Sequence, residues 1–234
     1  MITPLAAITM TEEGLRLVRL LQLVSPTLPT GSFSYSQGLE WAVEAGWVRD
    51  AESLGNWLTD CLHRSLARVD IPILSMMYGS CRQHDLQRLV DCCDLLLACR
   101  ESRELRAEEQ QRGRAMATLL AGLDLLRDKP WQEALCRSQL AGFAFAAAGW
   151  RIEVREAAVG YLWAWLENQV LAGVKIIPLG QTAGQLLLLR LGEEILATSD
   201  LGLGLAEEEI GASSMALALA SSLHEAQYTR LYRS

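Results

Sequence analysis

Apolar residues recur along this chain at intervals of three and four, and nowhere do they alternate long enough to make a strand. A half-buried strand needs an apolar side chain at every second position. A helix instead shows one face at i, i+3, i+4 and i+7. Leu17, Leu20, Leu21 and Val24 follow the helical rule, and Thr11 with Glu12 and Glu13 reads as their N-terminal start. Pro26 ends that helix, and two prolines and a glycine make Ser25 to Ser32 an ordered loop. A second helix is expected from Ser34 to Ala45, closing on Gly46. Asp50 reads as the N-cap of a third, with Leu54, Leu58, Cys61 and Leu62 inward. Asp70 with Pro72 marks a restart, and Asp85 begins the next helix. Pro130 suits a first helical turn. Val159, Leu162, Trp163, Leu166, Val170 and Val174 then form a long stripe that Pro178 interrupts. Helix resumes from Gln181 to Ala197, a Gly-rich acidic connector covers 200–212, and Ser213 or Ser214 caps a last helix bearing Met215, Leu219 and Leu223. The expectation is an all-α single domain over residues 1–234, an irregular orthogonal bundle of about nine or ten helices, with flexible termini at 1–10 and 227–234.

Composition narrows the function classes. The formal net charge is −7, from 28 acidic and 21 basic side chains, so no broad basic face is available to neutralise nucleic-acid phosphates. Met1 to Met10 lacks the basic start of a signal peptide, and the most apolar stretch, Ile176 to Leu189, is interrupted by Pro178, Gly180, Gln181 and Gln185. No membrane span is expected. Six cysteines at 61, 81, 92, 93, 99 and 136 form no CxxC pair, which reads as buried free thiols in a reducing cytoplasm.

Motifs for chemistry are sparse. The chain holds no GxxxxGK[ST] phosphate loop and no GxSxG elbow, and His224-Glu225 is followed by Ala-Gln-Tyr, so the HExxH zinc pattern fails at its second histidine. Cys61 and His63 do not share a helix face. No catalytic residue, cofactor or metal site is expected.

Three segments carry more information. The first runs Leu20-Leu-Gln-Leu-Val-Ser-Pro-Thr-Leu-Pro-Thr-Gly-Ser-Phe-Ser-Tyr-Ser-Gln-Gly-Leu-Glu-Trp41. The second is Ala98-Cys-Arg-Glu-Ser-Arg-Glu-Leu-Arg106 with Glu108, Glu109 and Gly113. The third is Val174-Lys-Ile-Ile-Pro-Leu-Gly-Gln181, with the tail His224-Glu-Ala-Gln-Tyr-Thr-Arg-Leu-Tyr-Arg-Ser234. In order and spacing these resemble the signatures of the UreF family of urease accessory proteins, with Thr229 and Tyr232 in place of the commoner Ser and Phe.

Each segment also has a plain reading. The loop serves as a rigid helix-to-helix turn around Gly31. The nine charges in residues 100–114, with Arg100/Glu104 and Glu108/Arg112 at i, i+4, make a solvated face. Lys175 stabilises a helix end, and the tail frays.

The resemblance implies a homodimeric, cytoplasmic, non-enzymatic scaffold for GTP-dependent nickel insertion into the urease apoprotein. It implies contact with UreD (UreH in some organisms) through His224, Glu225, Tyr228, Arg230, Leu231, Tyr232 and Arg233. For the GTPase UreG it points to Lys175, Pro178, Gly180, Gln181, Glu40, Arg100 and Glu104. Two other classes stay open: a GTPase activator supplying Arg100, Arg103 or Arg106 in trans, and a nickel carrier using Cys61, His63 or His224.

Overall fold

The computed structural model describes residues 11–234, so the sequence expectations for 1–10 lie outside the described residues. Thr11 caps the first helix, its hydroxyl accepting from the Gly14 N–H, and α1 spans Glu12–Leu23. There follow α2 (Leu39–Glu44), α3 (Ala51–Cys61), α4 (Ile71–Gln83), α5 (Leu86–Cys99), α6 (Arg103–Gly122), α7 (Lys129–Leu135), α8 (Gln139–Gly149), α9 (Val154–Ile176), α10 (Gln181–Leu203) and α11 (Met215–His224). Among the described residues there is no strand, and the all-α expectation holds.

Three boundaries differ from the sequence reading; the first is that α10 runs on to Leu203, past Ala197 and into the stretch expected as a connector. Asp70 and Pro72 do not restart the chain: α3 and α4 are joined by a π-helical stretch, Leu62–Asp70, into one continuous rod. Pro72 lies within that rod, and the Arg68 carbonyl, which an N–H at position 72 would otherwise meet, accepts instead from the Gly211 N–H at 3.2 Å. Likewise the second helix does not begin at Ser34. A single 3₁₀ turn covers Ser32–Ser34, and α2 starts only at Leu39, because Gln37 (φ 54°) and Gly38 (φ 80°) both adopt the left-handed conformation.

Helix α8 is the hub. Leu140, Ala141, Phe143, Ala144, Ala146 and Ala147 are all buried, and the helix packs against α4, α6, α7 and α9. Small Ala and Gly side chains let these neighbours approach on every side. Phe143 is the largest of the fully buried side chains, its burial worth about 2–3 kcal/mol. Around the hub, α9 pairs with α10, α10 crosses the π-helical stretch, and α11 lies on α2. The six thiols are free, and burial pushes Cys81 up to about 12 and Cys92 up to about 11, which suits packing rather than chemistry. Among the described residues no helix is long and apolar enough to cross a membrane.

The last helix presents the opposite face to the one the sequence suggests. Leu217, Ala220, Ser221 and His224 point inward, while Met215, Leu219 and Leu223 are exposed. Polar Ser221 and His224 go inside because each finds a buried partner. Ser221 shares a hydrogen bond with the Ser102 N-cap of α6 at 2.5 Å.

Candidate functional site

The residues that carry the family resemblance converge on one place: the end of the chain, the loop after α1 and the start of α6. His224 is fully buried. Its Nδ1 lies 2.6 Å from Glu104 and its Nε2 lies 3.3 Å from Glu40. The carboxylates hold opposite ring nitrogens, which clamps the imidazole in place instead of forming a chelate. Glu40 then accepts from the backbone N–H of Leu231 at 2.6 Å and of Tyr232 at 2.9 Å, and Glu104 accepts from Arg230 at 2.6 Å. One histidine and two glutamates thus fasten the tail.

The last residues are packed, not free as the sequence suggests. The carbonyl oxygen of Ser234 accepts from the N–H groups of Ser36 and Gln37, and Arg233 N–H donates to the Ser34 carbonyl at 2.8 Å. Tyr232 and Ser234 are buried. The physical cause is that Ser32 to Gly38 is irregular, so its backbone groups lack helical partners and take the tail's instead.

Within the segment Ser36-Gln37-Gly38-Leu39-Glu40 every residue has a task. Ser36 is fully buried and accepts from the Glu40 N–H at 3.2 Å. Gln37 donates to Glu108 at 3.0 Å and accepts from the Trp165 indole at 2.8 Å. A Cβ at Gly38 would sit 2.7 Å from the Ser221 nitrogen, so only glycine lets α2 lie so close to α11. Leu39 enters the core.

The charged segment at 100–114 is not a solvated face. Glu108 and Arg112 do pair at 2.8 Å as their spacing suggests, but Glu108 is buried and also accepts from the Ser234 hydroxyl at 2.9 Å. Arg100 does not pair with Glu104, because the helix starts only at Arg103 and the i, i+4 register does not apply. Arg100 instead binds Asp70 through two nitrogens, at 2.7 and 3.1 Å, and Glu109 at 2.9 Å. The Tyr161 hydroxyl donates to the same Asp70 at 3.0 Å. Burial pushes the Glu109 carboxyl up, but Arg100, the Leu140 N–H and the Ser138 hydroxyl outweigh it and leave it below its ordinary value. Glu109 also sits at the N-terminus of α8, where a negative charge is favoured.

The structure therefore divides the sequence-derived candidates. Glu40, Glu104 and His224 form one internal clamp, and Arg100 belongs to a second buried network. Glu225 accepts from the Arg103 N–H at 2.8 Å. Tyr228, Arg230, Leu231 and Arg233 face solvent, as do Lys175, Pro178, Gly180 and Gln181. Lys175 reaches the tail from α9: it lines one cleft with Phe33, Ser34, Leu231, Tyr232 and Arg233. Glu108, Ser36 and Gln37 were not singled out as site residues by sequence reasoning. Their positions inside the two motifs were the available signal.

Cys61 and His63 do not come together. Cys61 is in the core, its thiol pushed far up by burial, while His63 pairs with Glu194 of α10 at 2.8 Å.

The UreF family model matches residues 48–192. Among curated proteins, the urease accessory protein UreF of Pseudomonas putida (strain GB-1) is 50% identical over 223 residues, covering 95% of this chain and 100% of that protein. That of Alkalilimnicola ehrlichii is 48% identical over 226 residues, covering 97% and 99%. That of Marinomonas sp. (strain MWYL1) is 43% identical over 220 residues, covering 94% and 95%. Matched by the family model over more than half its length, and by these relatives over nearly all of it, the chain belongs to the UreF family of urease accessory proteins.

Proposed function

We propose that this chain is the cytoplasmic scaffold that couples UreG, a GTPase, to UreD and to the urease apoprotein during GTP-dependent nickel insertion. Its part in urease maturation is accessory, not catalytic. One observation carries the reading. Tyr228, Leu231 and Arg233 are exposed on a tail whose backbone is fastened from inside by Glu40, and Leu231 and Arg233 line a cleft with Phe33 and Lys175. Exposed Tyr and Arg on a rigid support are suited to anchor an interface, since little entropy is lost when a partner docks.

In this reading Tyr228, Arg230, Leu231 and Arg233 meet UreD directly, with the exposed Met215, Leu219 and Leu223 of α11 beside them. Lys175, Pro178, Gly180 and Gln181 meet UreG. Glu40, Glu104, His224 and Tyr232 act from within by holding the tail in shape. Because Lys175 and the tail line one cleft, the two partners would adjoin, and occupancy of one site can bias the other. Exposed Leu186, Leu189 and Leu196 on α10 supply an apolar stripe for a second copy.

The two rival classes fare differently. Arg100 is spoken for by Asp70 and Glu109, which removes it as a finger inserted into a GTPase site. His224 is enclosed by two carboxylates inside the fold, which weighs against a carrier role. The test is co-expression with a urease operon lacking its own UreF. The scaffold reading expects restored nickel content and urease activity, and failure of a well-folded chain to restore either would remove it.

A further inference from the structure

His224 is fully buried where α11 packs on α2 and α6, and both of its ring nitrogens face carboxylates, Nδ1 at 2.6 Å from Glu104 and Nε2 at 3.3 Å from Glu40. An ionised carboxylate only accepts hydrogen bonds, whereas a neutral imidazole has one donor nitrogen and one acceptor. With a neutral ring, one of the two contacts sets a lone pair against a lone pair, and burial keeps water from separating them. Only the doubly protonated ring donates on both sides. The surrounding charges favour the same state. From α2, Glu44 is engaged by Gln227; from α6, Arg103 pairs with Glu225 at 3.6 Å and Glu108 with Arg112 at 2.8 Å. That leaves Glu40, Glu104 and the Arg230 guanidinium, which lies 2.6 Å from Glu104. Two carboxylates and one guanidinium balance when the imidazole is charged and leave excess negative charge beneath the tail when it is not. The Tyr232 phenol is pushed up by burial and by Glu40, so it stays neutral and does not alter this balance.

We propose that His224 is a pH-sensitive lock on the tail: its imidazolium holds Glu40 and Glu104 in place, and loss of that proton as the pH rises loosens the residues they fasten. Glu40 is the relay, since it accepts from the Leu231 and Tyr232 N–H groups, while Glu104 holds Arg230. The folded chain needs a proton that a histidine in an unfolded chain gives up at about pH 6.5. The lock is therefore fully engaged below that value and weakens as the pH rises above it, opposite to the contribution of Glu109, which is lost in acid. A weaker hold on the tail at higher pH also weakens its docking to UreD. That consequence rests on the scaffold reading, whereas the lock itself does not.

The experiment uses the purified full chain with no partner, so its outcome is independent of the scaffold reading. NMR follows hydrogen exchange at the Leu231 and Tyr232 amides from about pH 6 to about pH 9, corrected for the intrinsic pH dependence of exchange. The nitrogen-15 shifts of the His224 ring report its protonation over the same range. A ring protonated on both nitrogens is expected at the acid end. As the ring loses its proton, both amides are expected to lose about tenfold in protection, the equivalent of one charge-assisted hydrogen bond. Glu104→Gln separates the lock from a merely structural histidine. The new amide donates to a neutral Nδ1 while its oxygen still accepts from Arg230, so the extra proton is no longer needed. Protection in this variant is expected to stay level across the range. The wild-type ring shifts need no substitution and carry the test if Glu104→Gln folds poorly. A ring already neutral at about pH 6, tail protection that does not fall with the ring's titration, or a fall of unchanged size in Glu104→Gln overturns the proposal.

Discussion

The Ser36 hydroxyl donates to the carbonyl oxygen of Ser234 at 2.7 Å, joining two residues 198 apart in sequence. The N–H groups of Ser36 and Gln37 converge on the same oxygen, at 2.7 and 2.9 Å. The tail is therefore a strap as well as a surface. Deleting Tyr228 to Ser234 leaves these donors unpaired, removes the tail's hydrogen bonds to Glu40 and Glu108, and uncovers the site of Tyr232. From sequence alone the core should not depend on the tail. The structure leads us to expect a loss of about 4 kcal/mol, or roughly 10 °C in melting temperature. A thermal melt of the truncated chain checks this, and a midpoint within two or so degrees of wild type would mean the strap adds no net stability.

Gly38→Ala tests the closure from the other side. The substitution combines a positive φ of 80° with a Cβ placed 2.7 Å from the Ser221 nitrogen and 3.1 Å from the Ala220 carbonyl carbon. The backbone conformation alone costs about 1–2 kcal/mol in a non-glycine residue, and both clashing atoms are backbone. Urea unfolding is expected to show a loss of at least about 3 kcal/mol. Gly31→Ala has a similar φ of 74° but nothing near its Cβ, so it should lose only the conformational part.

Acid should weaken the fold through Glu109. Its folded-state pKa lies below the ordinary 4.5, so its contribution is fully present above that value and is lost as pH falls through the lower, folded one. Urea midpoints measured from about pH 7 to pH 3 should hold steady and then drop below about pH 4.5. Glu109→Gln should be less stable at neutral pH, because Arg100 loses a partner, and should show a shallower drop in acid. An unchanged acid slope in the variant would assign the effect to other carboxylates.

Surface and strap can be separated at Tyr228 and Lys175. Tyr228 is fully exposed and Lys175 stands at the last turn of α9, so Tyr228→Ala and Lys175→Ala should each melt within about 0.5 kcal/mol of wild type. Tyr228→Ala is expected to weaken UreD pull-down by tenfold or more, while Lys175→Ala leaves UreD binding intact and lowers UreG-dependent urease activation. If Lys175→Ala melts several degrees lower and activates normally per folded molecule, the lysine only stabilises a helix end.

Local rules written in the sequence account for most helix starts. Thr11, Asp50 and Asp85 cap where their short polar side chains suggest, and Pro130 opens α7, because capping depends on residues three apart. The all-α class follows from the same source, since periodicity is a property of neighbours in sequence. Helix α8 escapes that logic: it is apolar all round, so no amphipathic face marks it. The outward turn of Met215, Leu219 and Leu223 also escapes it, because Ser221 and His224 go inside only when Ser102, Glu40 and Glu104 arrive from distant parts of the chain. The site follows the same division. Its residues were legible as motifs, but their roles were not, since a carboxylate such as Glu40 becomes a clamp only when His224 and the N–H groups of Leu231 and Tyr232 are brought to it. Burial turns those long-range hydrogen bonds from weak surface contacts into bonds that are costly to break, and burial is decided only by the tertiary structure.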